Sequence, residues 1–82
     1  MDLAIGTVIK SLKGRDKNKY FCVVSIDGKY VEICDGKEHK VEKPKRKKIM
    51  HILITPYKLQ TESLQVNKHL NKALKSLNIV EE

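Results

Sequence analysis

The chain has 82 residues, which is enough for one small domain with a single hydrophobic core. Its 17 Lys and Arg against 10 Asp and Glu give a formal net charge of +7, and a small protein with this charge attracts polyanions. No apolar run approaches the roughly 20 residues that cross a bilayer, and the first residues lack the basic and apolar regions of a signal peptide. We therefore expect a cytoplasmic protein that does not bind membranes.

Short β-branched and aromatic runs separated by turn residues predict a mainly β fold. The first strand is predicted at residues 6–11 and the second at residues 20–26. In the second strand both side-chain parities are apolar, which indicates burial on two faces or a bulge. Asp27-Gly28 and Asp35-Gly36 flank a third strand at residues 30–34, and Asp-Gly pairs are strong hairpin signals.

Two further strands complete the predicted sheet. Residues 38–42 read as a short polar strand, and residues 43–48 as a basic loop, because Pro44 bars continued ladder pairing. An apolar strand at residues 49–55 is expected to end at Pro56. Five short antiparallel strands would lose their exposed edges by closing into a small barrel.

A change of pattern after the fifth strand divides the chain into a barrel domain, 1–56, and a C-terminal extension, 57–82. Leucines recur there at helical spacing, with lysines on the opposite side, at Leu70, Leu74 and Leu77 and at Lys68, Lys72 and Lys75. This pattern predicts an amphipathic helix at about residues 64–78 whose leucines pack on the barrel. The candidate caps are Ser63 or Asn67 at its start and Asn78 at its end.

The sequence offers few groups for chemistry. Cys22 and Cys34 lie in apolar surroundings, and in a reducing compartment we expect buried core thiols. The three histidines stand in different elements without other ligands at metal-binding spacing. No glycine-rich phosphate loop, nucleophile elbow or buried carboxylate pair occurs. We therefore predict a protein that is not an enzyme and has neither cofactor nor metal.

Positive charge is concentrated in two segments. Residues 10–19 contain five bases and one acid, and residues 37–48 contain seven bases and two acids. Such concentration favours a binding surface over a merely solvated face. The two segments can act together only if the fold brings them to one side.

Three elements in order resemble the KOW motif: Gly6-x-Val8, then Gly14-Arg15-Asp16-Lys17-Asn18-Lys19, then Val23-Val24. The resemblance continues through Val31-Glu32-Ile33-Cys34-Asp35-Gly36 and Lys48-Ile49-Met50-His51-Ile52. It is to the bacterial KOW proteins related to the archaeal and eukaryotic large-subunit ribosomal protein numbered fourteen, and it covers about residues 4–55. The resemblance implies an SH3-like barrel, RNA binding and a link to ribosomes or their assembly.

One residue departs from the family pattern, since Asn18 stands where the family usually has Gly. Asn is the residue that best replaces Gly at positive φ, so the tight turn can survive. An RNA strand approaching this backbone would meet a side chain, however. Asp16 is expected to hydrogen-bond within the loop and hold its shape rather than contact RNA.

We therefore predict a mainly β protein, an SH3-like five-stranded barrel with a C-terminal amphipathic helix, which binds RNA on the ribosome and is a monomer when free. Its partner would be large-subunit rRNA, or a particle in ribosome assembly or translation. The predicted RNA-binding residues are Lys13, Arg15, Lys17, Asn18, Lys19, Tyr30, Lys43, Lys45, Arg46, Lys47 and Lys48. The bases would neutralise phosphates, and Tyr30 would stack on a nucleotide base. The alternative is an SH3-like protein-interaction module that docks on transcription or translation machinery through the leucine stripe.

Overall fold

The computed structural model describes residues 3–77 as one five-stranded antiparallel sheet followed by one helix. The strands are β1 (Thr7–Ser11), β2 (Tyr20–Asp27), β3 (Tyr30–Cys34), β4 (Lys45–Lys48) and β5 (Ile52–Lys58). A 3-10 turn, Ile49–His51, joins β4 to β5, and a second one, Thr61–Leu64, precedes the helix α1 (Asn67–Ser76). The mainly β class is confirmed. Within this part of the chain no helix is long and apolar enough to span a membrane.

The strand order is β4-β3-β2-β1-β5, so β4 and β5 form the two edges of the sheet. Across residues 3–77, no ladder pairing joins these two edges. Closure of the sheet into a barrel therefore stays a prediction. The two edges are nevertheless connected by a turn of only three residues.

Strand β2 combines both features that its apolar pattern indicated. Its pairing with β3 shifts register between Val23 and Ser25, which is a bulge. Its side chains also enter two separate clusters of buried residues, with Cys22 on one face and Phe21 and Val23 on the other. The strand is thus buried on both faces and bulged as well.

The first hairpin follows the prediction, and the second does not. Asp27 pairs with Tyr30, so the two loop residues are Gly28, with φ +60°, and Lys29. Asp35 instead opens a long loop, because its carboxylate accepts hydrogen bonds from the N–H groups of Lys37 and His39 at 2.9 Å. The local hydrogen bonds of Asp35 thus replace a tight hairpin turn.

Three predictions about the later strands were wrong. Residues 38–42 are not a strand but belong to the loop between β3 and β4. The basic run that was predicted as a loop contains β4, which starts immediately after Pro44. Strand β5 passes through Pro56 and ends at Lys58. Pro56 is tolerated because β5 is an edge strand whose pairing with β1 is irregular there.

The helix packs on the sheet as the leucine spacing predicted. Leu70 is fully buried in a cluster with Val8, Cys22 and Cys34, and Leu74 and Leu77 pack against the same cluster. The helix begins at Asn67, three residues later than predicted.

The predicted caps at the start of the helix were wrong, because no side-chain cap hydrogen bond is made there. The Asn67 amide instead accepts a hydrogen bond from the Val41 N–H at 2.8 Å and donates one to Glu42. Asn78 lies outside the described residues.

One glycine fixes the distance between the helix and the sheet. Gly36 has φ +76°, and a Cβ at this position would collide with the Asn67 carbonyl and lie 3.1 Å from the Asn71 nitrogen. The Asn71 side chain also donates a hydrogen bond to the Asp35 carbonyl at 3.2 Å. The first turn of α1 therefore rests directly on the backbone that follows β3.

The two cysteines are buried core thiols, as predicted. Cys22 and Cys34 lie directly opposite each other on β2 and β3, and neither forms a disulfide. Burial raises the pKa of the Cys22 thiol to about 12, and the neighbouring Cys34 adds to this. Burial, with the charges of Asp35 and Glu42, raises the pKa of the Cys34 thiol to about 11. Both groups are therefore protonated at neutral pH.

Candidate nucleic-acid interface

The loop between β1 and β2 is a compact hydrogen-bonded turn that presents cations. Its ends are joined by a hydrogen bond from the Ser11 N–H to the Lys19 carbonyl at 3.0 Å, and the Asn18 N–H donates to the Ser11 carbonyl at 2.8 Å. Asn18 has φ +70°, the only positive φ of a residue other than glycine in the described part of the chain. This confirms that Asn18 adopts the left-handed backbone.

Most of the exposed side chains of this loop are basic. Lys13, Arg15, Lys17, Asn18 and Lys19 are all exposed, whereas Asp16 is only 4% exposed. Of the four cations, Lys19 has a partner at the surface, since its Nζ lies 3.5 Å from Glu38 Oε1 and both side chains are solvated. An ion pair between exposed groups of this kind contributes about 0–1 kcal/mol, so a phosphate can displace it.

Asp16 connects this loop to β4, which follows much later in the chain. Its Oδ1 accepts hydrogen bonds from Ser11 Oγ and from Lys47 Nζ, both at 2.8 Å, and its Oδ2 lies 2.9 Å from Lys45 Nζ. The Lys47 ammonium also donates to the Lys13 carbonyl. The expectation that the Asp16 side chain hydrogen-bonds within its own turn was wrong, because its partners lie on β1 and β4, and it ties the loop to these strands instead.

The surroundings of Asp16 favour its ionised form. Burial by itself would raise the pKa of this carboxyl, but hydrogen bonds from Lys47, Lys45 and Ser11 and the charge of Lys47 together lower it well below its ordinary value. Asp16 is therefore a carboxylate throughout the neutral range. Its single negative charge lies between two lysines.

Strand β4 divides its four cations between the two faces of the sheet. Lys45 and Lys47 pair with Ile33 and Val31, which are buried, and their ammonium groups reach Asp16. Because side chains alternate along a strand, Arg46 and Lys48 point the other way and are exposed. The alternation separates lysines that hold the structure from bases that face solvent.

Lys47 occupies a different environment from the other predicted RNA contacts. Its side chain is only 8% exposed, and its ammonium contacts both Asp16 and the Lys13 carbonyl. Lys45 lies beside it and is half-buried, and its ammonium forms an ion pair with Asp16. We therefore treat Lys47 as a positioning residue of the surface, and Lys45 as both a positioning residue and a candidate contact.

The cations of the two segments meet at a shallow depression. A hollow of about 250 Å³ is lined by three bases, two other titratable residues and the buried carboxylate, namely Arg15, Lys19, Lys45, Glu38, His39 and Asp16. The His39 ring lies 5.7 Å from the buried Phe21 ring. Phe21 is a core residue, 1% exposed, so His39 connects the hollow to the core. Lys43 is exposed before β4 and lines a neighbouring hollow that shares Glu38, His39 and Lys45 with this one.

A second group of predicted residues lies on the opposite face of β4. The Arg46 guanidinium stands 4.3 Å above the ring of Tyr30, and it also lies 3.4 Å from Asp27 Oδ2. Tyr30 is half-buried and is the cross-strand partner of Lys48. The predicted set therefore forms two groups: the loop with Lys43 and Lys45, and Tyr30 with Arg46 and Lys48.

His51 connects the two groups. Its carbonyl accepts a hydrogen bond from the Leu12 N–H at 2.9 Å, which ties the 3-10 turn to the start of the loop. Desolvation, followed by the positive charges of Lys13, Lys48 and Lys47, lowers the pKa of His51. The charges of Lys13 in the loop and of Lys47 and Lys48 in β4 thus all act on this imidazole. Sequence reasoning could not find this contact, because the loop and His51 are far apart along the chain.

Comparison with protein-family models finds no match, and comparison with curated proteins finds no relative. The KOW resemblance therefore stays a prediction from the residues quoted above. Among residues 3–77 no group of three or more His, Cys, Asp or Glu side chains could hold a metal ion.

Proposed function

We propose that this protein binds RNA through its phosphates, using the exposed bases of the loop between β1 and β2 together with those at β4. The observation that carries the proposal is the meeting of two basic segments, distant in sequence, at Asp16 with Lys45 and Lys47. A rigid cationic surface loses little side-chain or loop freedom on binding, so more of its electrostatic attraction appears as affinity.

An SH3-like barrel is the form of the sheet that we propose. One face of the sheet carries a cluster that includes Ile9, Phe21, Val23, Val31 and Ile33, all at most 1% exposed, although α1 packs on the other face. A single sheet can bury such a face by curling over itself, which the three-residue connection between its two edges favours.

Structured RNA is the class of ligand that this surface suits best. The exposed bases are Lys and Arg on a hydrogen-bonded loop, with few groups that could read base edges. Such a surface recognises the spacing of backbone phosphates and the shape of an A-form helix or a folded loop. The KOW resemblance extends the proposal to the ribosome, with large-subunit rRNA or an assembling particle as the partner.

The alternative, a protein-interaction module, would dock through the leucine stripe, and this stripe is covered within the domain. Leu64 and Leu70 are buried against the sheet, and Leu74 and Leu77 pack on the same cluster. The leucine stripe is thus used within the domain. RNA binding is therefore the function that we propose.

Neutralising the exposed loop cations is expected to weaken RNA binding and its salt dependence. We compare wild type with the triple variant Lys13→Gln, Arg15→Gln, Lys17→Gln, measuring the affinity for an RNA hairpin at several salt concentrations. Each lost phosphate contact should make the slope of log K against log salt shallower by about one unit, so up to about three in total.

The matched control removes the same charge from the exposed face of α1, through Lys68→Gln, Lys72→Gln and Lys75→Gln. We expect its slope to stay within about half a unit of the wild-type value. Equal losses in the two triple variants would mean that binding depends on total charge, and the proposed surface would then be wrong.

Sedimentation tests the ribosomal part of the proposal separately. Tagged protein in a cell lysate should co-migrate with large subunits at low salt and leave them at high salt, because phosphate contacts are screened. The loop variant should dissociate at lower salt than the control variant. Protein that stays at the top of the gradient at low salt would contradict ribosome association while leaving the hairpin measurement to decide RNA binding.

A further inference from the structure

A second cavity lies beside the cationic surface, between the β2–β3 hairpin and the 3-10 turn after β4. Its volume is about 530 Å³, and its walls are formed by residues of these two segments: Gly28, Lys29, Tyr30, Lys48, Ile49 and Met50. The Ile49 N–H donates a hydrogen bond to the Lys29 carbonyl at 2.8 Å, which holds the two walls together. Neither Lys29, Ile49 nor Met50 has a role in the surface described above.

The cavity combines apolar and cationic side chains. It offers an aromatic ring and two apolar side chains, of which Met50 is 77% exposed, flanked by the ammonium groups of Lys29 and Lys48. A ligand with a flat apolar ring and an adjacent negative charge would contact both the apolar groups and the lysines. A nucleotide has this composition, since its base has a π face and its phosphate carries the charge.

The ring of Tyr30 is held in place before any ligand arrives. Arg46 lies over it at 4.3 Å, and Asp27 in turn pairs with Arg46 at 3.4 Å. Arg46 does not itself line the cavity. A fixed aromatic platform costs little entropy when a base stacks on it.

We propose that this cavity binds an unpaired nucleotide of the RNA, with its base on Tyr30 and against Ile49 and Met50, and its phosphates at Lys29 and Lys48. The proposal rests on the proposed RNA binding and adds a site for a single-stranded segment. Charge favours a nucleotide over a peptide, because the two charged residues in the cavity wall, Lys29 and Lys48, are both cations.

The two surfaces are adjacent. Leu12, at the start of the loop, donates a hydrogen bond from its N–H to the carbonyl of His51 at 2.9 Å, and His51 directly follows Met50 of the cavity wall. A strand leaving a duplex held by the loop would therefore pass cations along its way to Tyr30. This arrangement predicts a preference for RNA in which a duplex adjoins an unpaired segment.

The test uses two RNAs, a blunt hairpin and the same hairpin with a short single-stranded extension that contains 2-aminopurine. Wild-type protein should bind the extended RNA on the order of 10-fold tighter, the effect of stacking one base on an aromatic side chain, and should quench the fluorescence of the base analogue. Tyr30→Leu should abolish both the preference and the quenching, while it keeps every cation of the phosphate-binding surface. Tyr30→Phe, which keeps the ring, should behave like wild type.

The outcomes separate the two proposals. Equal, salt-dependent binding of both RNAs by wild type, or a preference that survives Tyr30→Leu, would overturn the nucleotide site and leave the cationic surface standing. Failure to bind either RNA would overturn the RNA-binding proposal and the nucleotide site with it.

Discussion

Asparagine in place of Asp16 is expected to lower the free energy of unfolding by about 3–5 kcal/mol, the usual effect of removing one partner of a buried ion pair. The Lys47 ammonium would stay in a site that is 8% exposed without its carboxylate. Ser11 Oγ, Lys45 and Lys47 would all have to contact a neutral amide in place of a carboxylate. For a domain of this size the loss is a large fraction of total stability.

Urea unfolding followed by circular dichroism measures this effect. Asp27→Asn is the matched control, because the same chemical change is made at an exposed carboxylate that pairs with the exposed Arg46. We expect a loss of at most about 1 kcal/mol there. If the two variants lost the same small amount, the Asp16 ion pairs would not be what stabilises this part of the fold.

The pH dependence of stability follows from the sign of the Asp16 shift. The pKa of this carboxyl is lower in the folded protein than in the unfolded chain, where it is about 3.9. The carboxylate therefore contributes its full stabilisation above about pH 4, and this contribution is lost as the pH falls further. The difference in unfolding free energy between wild type and Asp16→Asn should accordingly shrink below pH 4.

Leu70→Ala should be the other strongly destabilising change, by about 2–5 kcal/mol, because it leaves a cavity where the helix meets the sheet. Leu70 is fully buried and shares its cluster with Val8, Cys22 and Cys34. The loss includes both the removed apolar contact and the space that the neighbours cannot fill. Thermal and urea unfolding both report it.

Leu53→Ala provides the comparison, since Leu53 is 50% exposed on β5. The same truncation there should cost less than about 1 kcal/mol. A second readout follows from the proposed separation of stability and binding. At a temperature where Leu70→Ala is still folded, its RNA affinity should match wild type; a cost below about 1 kcal/mol for Leu70→Ala would contradict its place in the core.

The parts of the fold that sequence reasoning predicted are those with a local apolar pattern. Strands β1, β2 and β3 and the helix each carry such a pattern, and each was found close to its expected place. Strand β4 was missed because Lys45–Lys48 contains no apolar residue. It forms a strand because β3 supplies its pairing partners and Asp16 neutralises the two lysines that point inward. Asp16 lies 29 and 31 residues away along the chain from these two lysines.

The residues of the candidate site also divide into those that local sequence could predict and those that it could not. The exposed cations of the loop and the turn geometry of Asn18 could be predicted, since both depend on neighbouring residues alone. The burial of Lys47 could not, because an unbroken run of bases gives no sign that one member points into the protein. Nor could the cavity at Tyr30, which needs the hairpin and the 3-10 turn to meet.

The composition of β4 also affects how this domain meets other copies of itself. Wherever barrel closure leaves β4 unpaired as an edge strand, its N–H and C=O groups can template the addition of another strand, which is a route to aggregation. Here the edge consists of four consecutive bases, and the two that point outward, Arg46 and Lys48, would face the same charges on an approaching identical edge. The bases at β4 therefore oppose self-association as well as serving the proposed ligand. Neutralising these bases would remove their repulsion and favour strand addition at this edge. The loop, rather than this strand, is therefore the better place to test RNA binding by mutation.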